Sequence, residues 1–192
     1  MYGRSTRIRI SKKLFPINVL LLLKISISVS LLMIFVQDMK SRAVYWFLFP
    51  LLAAFFISCY MLQHHDWDGL LLMAGGNIIF LIIQLLVISA WLSFRHQQWI
   101  NITNGWLGLG DVLFLAALTC CFSISNYILF YVGSLITVLT IWTFGQQLRI
   151  NKKRHIPLAG LQALLLIGVL IFCWFHEDID LTSNNWLLKI SR

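Results

Sequence analysis

The sequence predicts an all-α protein: a polytopic membrane helix bundle with about six transmembrane helices. Three observations predict it. Of 192 residues, 59% are hydrophobic and only 11% are charged, whereas a soluble domain carries about a quarter charged residues. The apolar residues come in long blocks rather than as a one-sided helical stripe. The basic residues sit in the short segments between those blocks, where they face lipid headgroups and set topology. The same placement turns the formal net charge of +8 into an argument for a membrane lipid surface and against a nucleic-acid partner.

Residues 1–16 form a basic N-terminal segment with Arg4, Arg7, Arg9, Lys12 and Lys13, closed by Pro16. The membrane domain is expected over 17–175. Its first span is Ile17–Val36, broken by Lys24 and by Ser26, Ser28 and Ser30. No small-residue cleavage site follows it convincingly, so it reads as a retained span and not a removed signal peptide. Gln37–Ala43 is a short polar connection holding Asp38, Lys40 and Arg42. Val44–Leu62 is the second span, with Trp46 and Tyr60 as interfacial aromatics. A polar loop, Gln63–Asp68, leads to the third span, Gly69–Leu92. Ser93–Asn104 is again polar.

The run from Trp106 to Gly145 contains one charged residue, Asp111. As a single helix it would be about 60 Å long, twice a bilayer core. It must fold back, and Ser123-Ile124-Ser125-Asn126 is the expected turn. That gives a fourth span over 106–123 and a fifth over 125–145. A basic loop, Gln146–His155, precedes the sixth span, Ile156–Phe175, and 176–192 form a polar C-terminal tail.

This order places two carboxylates. Asp38 ends the first span and Asp111 opens the fourth, with two crossings between them. They therefore share one membrane face, whichever face that is. A carboxylate at the edge of hydrocarbon is costly unless paired, wet or functional. Two of them a few ångströms apart share one proton, because both cannot ionise cheaply. Such a pair can activate a water and protonate a leaving amine. Gly105, Gly108 and Gly110 would leave a thin backbone edge beside the acids for an extended substrate strand. The same glycines also fit a plainer role in turns and packing, with Asp111 capping the fourth helix.

Gly108-Leu109-Gly110-Asp111 resembles the GxGD signature of intramembrane aspartyl proteases, and its place at the head of the fourth span resembles the type IV prepilin peptidases. Asp38-Met39-Lys40-Ser41-Arg42-Ala43-Val44 is similar to that family's first acid and basic loop, with Tyr45 where proline is common. Lys152-Lys153-Arg154-His155-Ile156-Pro157-Leu158-Ala159-Gly160 is similar to its entry to the last span. The three matches occur in family order and cover about residues 25–175. The resemblance implies a membrane-embedded aspartyl endopeptidase with Asp38 and Asp111 catalytic, and with Gly108 and Gly110 as active-site backbone. It implies no cofactor and no metal. The substrate would be a prepilin-like membrane protein, cut between its short basic leader and its apolar helix at the cytoplasmic face of a bacterial inner membrane. The cysteine-rich domain of longer members is absent, so methyltransferase activity is not expected. Leu113 stands where the family commonly has lysine. That departure favours the alternative of an inactive scaffold or assembly subunit of a pilus or secretion system. A proton-coupled transporter ranks third, since it would spread acids through the membrane depth.

Other signals read as structural. Cys59, Cys120, Cys121 and Cys173 form no C-x-x-C pair and read as small buried hydrophobes. His64-His65-Asp66-Trp67-Asp68 reads as an interfacial polar turn without a diagnostic ligand set. Asn77 and Gln84 read as interhelical hydrogen-bond partners, and the sequon at Asn101 as incidental. Basic residues divide evenly between the two faces, so the positive-inside rule does not orient the chain.

Overall fold

The computed structural model describes residues 3–41, 43–96, 108–148, 158–176 and 180–183. Six helices follow one another, and no strand occurs among the described residues: α1 (Gly3–Ser41), α2 (Leu48–His64), α3 (Trp67–His96), α4 (Leu109–Leu118), α5 (Ile124–Leu148) and α6 (Leu158–Phe175). Four stretches are long and apolar enough to cross a membrane: Asn18–Ser41, Trp67–Trp91, Ile124–Ile141 and Leu158–Phe175. The protein is a helical membrane bundle.

Helix α1 differs from expectation at both ends. It is one helix of 39 residues, so the N-terminal segment is not separate from the first span, and Asp38 lies in the last helical turn rather than in a connection. The serines do not interrupt it. Ser26, Ser28 and Ser30 each donate a hydroxyl to the carbonyl four residues back, at 2.9, 3.0 and 2.8 Å. Their polarity is satisfied inside the helix, which lets them sit in an apolar span.

Among the described side chains of α1, the buried ones are Leu23, Ile27, Ser30, Leu31, Ile34 and Asp38. They recur every three or four positions and form one face. That face packs chiefly against α6 and α2. Helix α6 answers with Ala159, Ala163, Leu166 and Leu170, and α2 with Phe49, Leu52 and Phe56. Small residues at 159, 160 and 163 let the α1 and α6 backbones approach closely. Phe114, Ala117 and Leu118 of α4 complete the core. Helix α3 presents Leu71, Leu72, Ile78, Ile79, Ile82, Ile83, Leu86 and Val87 outward, the lipid-facing side of a bundle whose tails are as apolar as leucine.

The fourth span is also shorter than expected. Helix α4 has 10 residues, about 15 Å of rise, or half a bilayer core. It stops where Thr119 turns both its amide (3.2 Å) and its hydroxyl (2.7 Å) back to the Ala116 carbonyl. The Cys121 amide bonds Leu118 at 2.9 Å. A tight turn follows, and Ser123-Ile124-Ser125-Asn126, the expected turn, instead opens α5. Broken backbone inside a membrane needs partners, and Asn77 of α3 supplies them. Its side-chain amide donates to the carbonyls of Thr119 (2.9 Å) and Phe122 (2.7 Å). The role expected of Asn77 is therefore met, against backbone carbonyls. Residues 180–183 close the same corner, with Asn126 donating to the carbonyls of Leu181 (2.8 Å) and Ser183 (3.1 Å).

Candidate active site: two carboxylates on one helix end

Asp38 and Asp111 come from helices that are far apart in the chain, and α6 brings them together. The first four amides of any helix lack intrahelical acceptors. In α6 two of these are satisfied by acids from elsewhere. The Ala159 amide donates to Asp111 Oδ1 at 2.8 Å, and the Gly160 amide donates to Asp38 Oδ2 at 2.6 Å. Consecutive Cα atoms lie about 3.8 Å apart, so carboxylate oxygens held by adjacent amides lie within about 9 Å of each other. The positive end of the α6 dipole faces both acids, and hydrogen bonds to ionised acceptors are stronger than neutral ones. Asp38 is buried, with 8% of its surface exposed. Asp111 is half-buried. One carboxylate is thus better shielded than the other, although both sit on the same helix end.

Each acid is aimed by its own helix. Asp38 continues the buried stripe of α1 from Ile34, one turn further on. Asp111 lies in the first turn of α4, where the Gly108 carbonyl accepts the Asp111 amide at 3.0 Å. Gly108 is extended, with φ −66 and ψ 134. A methyl there would lie 3.1 Å from Asp111 Oδ2, so glycine at 108 leaves room for this carboxylate. Gly110 is different. A methyl there would meet only Phe49, at 3.8 Å, which is an ordinary contact. Gly105, the basic loop 149–155 and Ile156-Pro157 lie outside the described residues.

Gly160 is the residue that pattern reading did not single out. A methyl at 160 would stand 2.9 Å from Asp38 Oδ2, 3.0 Å from its Cβ and 3.3 Å from the Phe35 carbonyl. Only a glycine lets α6 approach α1 closely enough for the amide to reach the acid. The available signal was the pair Ala159-Gly160 opening a span two residues after Pro157. Leu113, in the position where lysine was the comparison, is exposed on α4.

At the other end of α2, His64 Nε2 lies 3.1 Å from the Thr182 hydroxyl. His65 takes the left-handed conformation (φ 55) that caps the helix. The expected polar turn is thus shortened to His65 and Asp66, because His64 ends α2 and Trp67 and Asp68 open α3. Among the described residues, no group of three or more His, Cys, Asp or Glu could hold a metal ion. No family model matches the chain, nor does any curated protein or solved structure.

Proposed function

We propose that the protein is a membrane-embedded aspartyl endopeptidase whose Asp38 and Asp111 act as one dyad. The observation that carries this reading is the convergence of the two acids on the adjacent amides of Ala159 and Gly160. The dyad holds one proton between its members. The ionised member takes a proton from a water, which attacks the scissile carbonyl carbon. The protonated member gives its proton to the carbonyl oxygen as the tetrahedral diol forms. Collapse of the diol breaks the C–N bond, the amine leaves with the proton taken from water, and the dyad is restored with one proton. Which acid starts ionised is a property of the pair. The substrate in this reading is a prepilin-like protein, and the location a bacterial cytoplasmic membrane. Both rest on the resemblance of the GxGD segment and its partners.

The test is processing of a membrane-inserted substrate with a basic leader by the protein in nanodiscs, comparing wild type with Asp38→Asn and Asp111→Asn. Each asparagine variant is expected to lose at least about a hundredfold in rate, the scale of general acid–base catalysis. Wild-type processing by either variant refutes the dyad.

One observation favours a second reading, the inactive scaffold. Each acid already accepts a backbone amide, as a purely structural helix cap does, and Leu113 replaces the lysine of the compared family. In that case neither wild type nor variants process substrate, while loss of either acid lowers stability.

A further inference from the structure

The end of the bundle away from the two acids holds a cavity of about 410 Å³. Lys24 lines it, fourteen residues before Asp38 and so about 21 Å away along α1. The C-terminal ends of α2 and α6 and the turn after α4 also line it, through Gln63, Trp174 and Cys121. The four cysteines, read from sequence as small buried hydrophobes, all line it, and only Cys121 is buried while Cys59, Cys120 and Cys173 are half-buried.

Lys24 explains why this space is not simply an unfilled gap. It lies six residues inside the apolar segment that begins at Asn18, about 9 Å along the helix. A charge at such depth requires a partner. Its ammonium lies 5.3 Å from the centre of the Trp174 ring. Among the described residues it forms no ion pair. Asp180 also lines the cavity, but its Oδ1 accepts both the amide (2.9 Å) and the hydroxyl (2.7 Å) of Thr182. These bonds hold the carboxylate in the turn that closes the corner, where it keeps its charge but forms no ion pair with Lys24.

The rest of the wall is sorted by chemistry. Ile27, Phe56 and Leu170 are buried and apolar. Tyr60 and Gln63 are polar and have hydrogens to donate. A few polar groups set around one cation, with an apolar floor, in a volume between about 300 and 1,000 Å³, is the composition of a small-molecule site. We infer that this cavity binds an anionic amphiphile: a phosphate or carboxylate head on Lys24, with the first carbons of its chain along Ile27, Phe56 and Leu170. The inference does not depend on the peptidase reading.

The cysteines provide the readout. The full-length protein in dodecyl maltoside is treated with a maleimide, and alkylation of Cys59 and Cys173 is followed by peptide mass mapping. Decyl phosphate is the probe. It is expected to slow alkylation of both thiols in wild type. In Lys24→Met its half-effect concentration is expected to rise about tenfold or more, since a hydrogen bond to a charged group contributes about 1.5–3 kcal/mol. Inorganic phosphate and decyltrimethylammonium are expected to leave the rates unchanged. Protection by inorganic phosphate alone points to a free anion and overturns the amphiphile. Equal protection by decyltrimethylammonium, no protection in wild type, or the same half-effect concentration in Lys24→Met overturns the site. The comparison of probes on wild type stands even where the variant folds poorly.

Discussion

Substitution of Gly160 by alanine is the sharpest perturbation available. It adds one methyl group where the nearest atoms are Asp38 Oδ2 at 2.9 Å, Asp38 Cβ at 3.0 Å and the Phe35 carbonyl at 3.3 Å. The Asp38 Cβ and the Phe35 carbonyl are fixed by α1 and cannot yield by a rotamer change, and the carboxylate can yield only by swinging away. Either α6 retreats from α1 or Asp38 leaves the Gly160 amide. Overpacking of this kind costs about 1–3 kcal/mol, and a lost hydrogen bond to a charged acceptor about 1.5–3 kcal/mol. Alanine returns up to about 1 kcal/mol through helix propensity. The two costs are alternatives, so the net expectation is a loss of up to about 3 kcal/mol, with peptidase activity down about a hundredfold if the dyad is displaced by 1 Å. Gly168 is the control, being in the same helix with nothing within 4 Å of its missing methyl. Gly168→Ala is expected to be neutral or slightly stabilising. The assay is thermal unfolding in detergent, followed by processing in nanodiscs. If Gly160→Ala behaves like Gly168→Ala in both, the close approach of α6 to Asp38 is not what organises this site.

Two further predictions address the geometry. In a background lacking the four native cysteines, Asp38→Cys with Asp111→Cys is expected to be joined by bifunctional thiol reagents spanning about 9 Å, the limit set by adjacent amides. Failure of every bridge up to about 12 Å would show that the two positions do not share a site. Asn77→Leu removes the donor that holds the Thr119 and Phe122 carbonyls at 2.9 and 2.7 Å. Leaving buried carbonyls unsatisfied costs about 1–3 kcal/mol, read as a lower unfolding temperature. An unchanged midpoint would mean that the α4–α5 turn does not rely on α3.

Composition and block length were enough to read a helical membrane protein, because hydrocarbon accepts few other backbone arrangements. The inward stripe Leu23, Ile27, Leu31, Ile34 was not legible in a run that is apolar on every side; burial reveals it, and continuing it one turn puts Asp38 on the inward face. Stopping the span at Val36 hid that consequence. The short α4 was not legible. Its run of apolar residues continues through Cys121 and Phe122, and the break is set by Asn77, more than 40 residues earlier. Counting crossings led to the expectation that Asp38 and Asp111 share one membrane face, and the structure has both acids at the start of α6. Their meeting on α6 did not follow from that count, since Gly160 lies 122 residues from Asp38. The cysteine wall was missed for the same reason: residues at 59, 120, 121 and 173 share no local pattern.

The two readings of the acids differ in what they require of the carboxyl group, and this makes them separable. A helix cap needs an oxygen that accepts an amide, and asparagine keeps such an oxygen with nearly the same shape. A proton-sharing dyad needs a group that ionises, and asparagine cannot ionise. Asparagine at 38 or 111 therefore leaves most of the capping in place while removing the chemistry, whereas alanine removes both. If the acids are only caps, stability should fall with alanine, fall less with asparagine, and no processing should be seen in any form. If they are a dyad, processing should vanish in both variants, and the unfolding temperature should separate them. The arrangement on α6 makes the two roles cooperate: the amides of Ala159 and Gly160 that stabilise the negative charge also fix where each oxygen points. A site built this way couples the closeness of α1, α4 and α6 to the geometry of the acids. Any substrate that enters between these helices must keep the α6 end in place or replace its two hydrogen bonds with others.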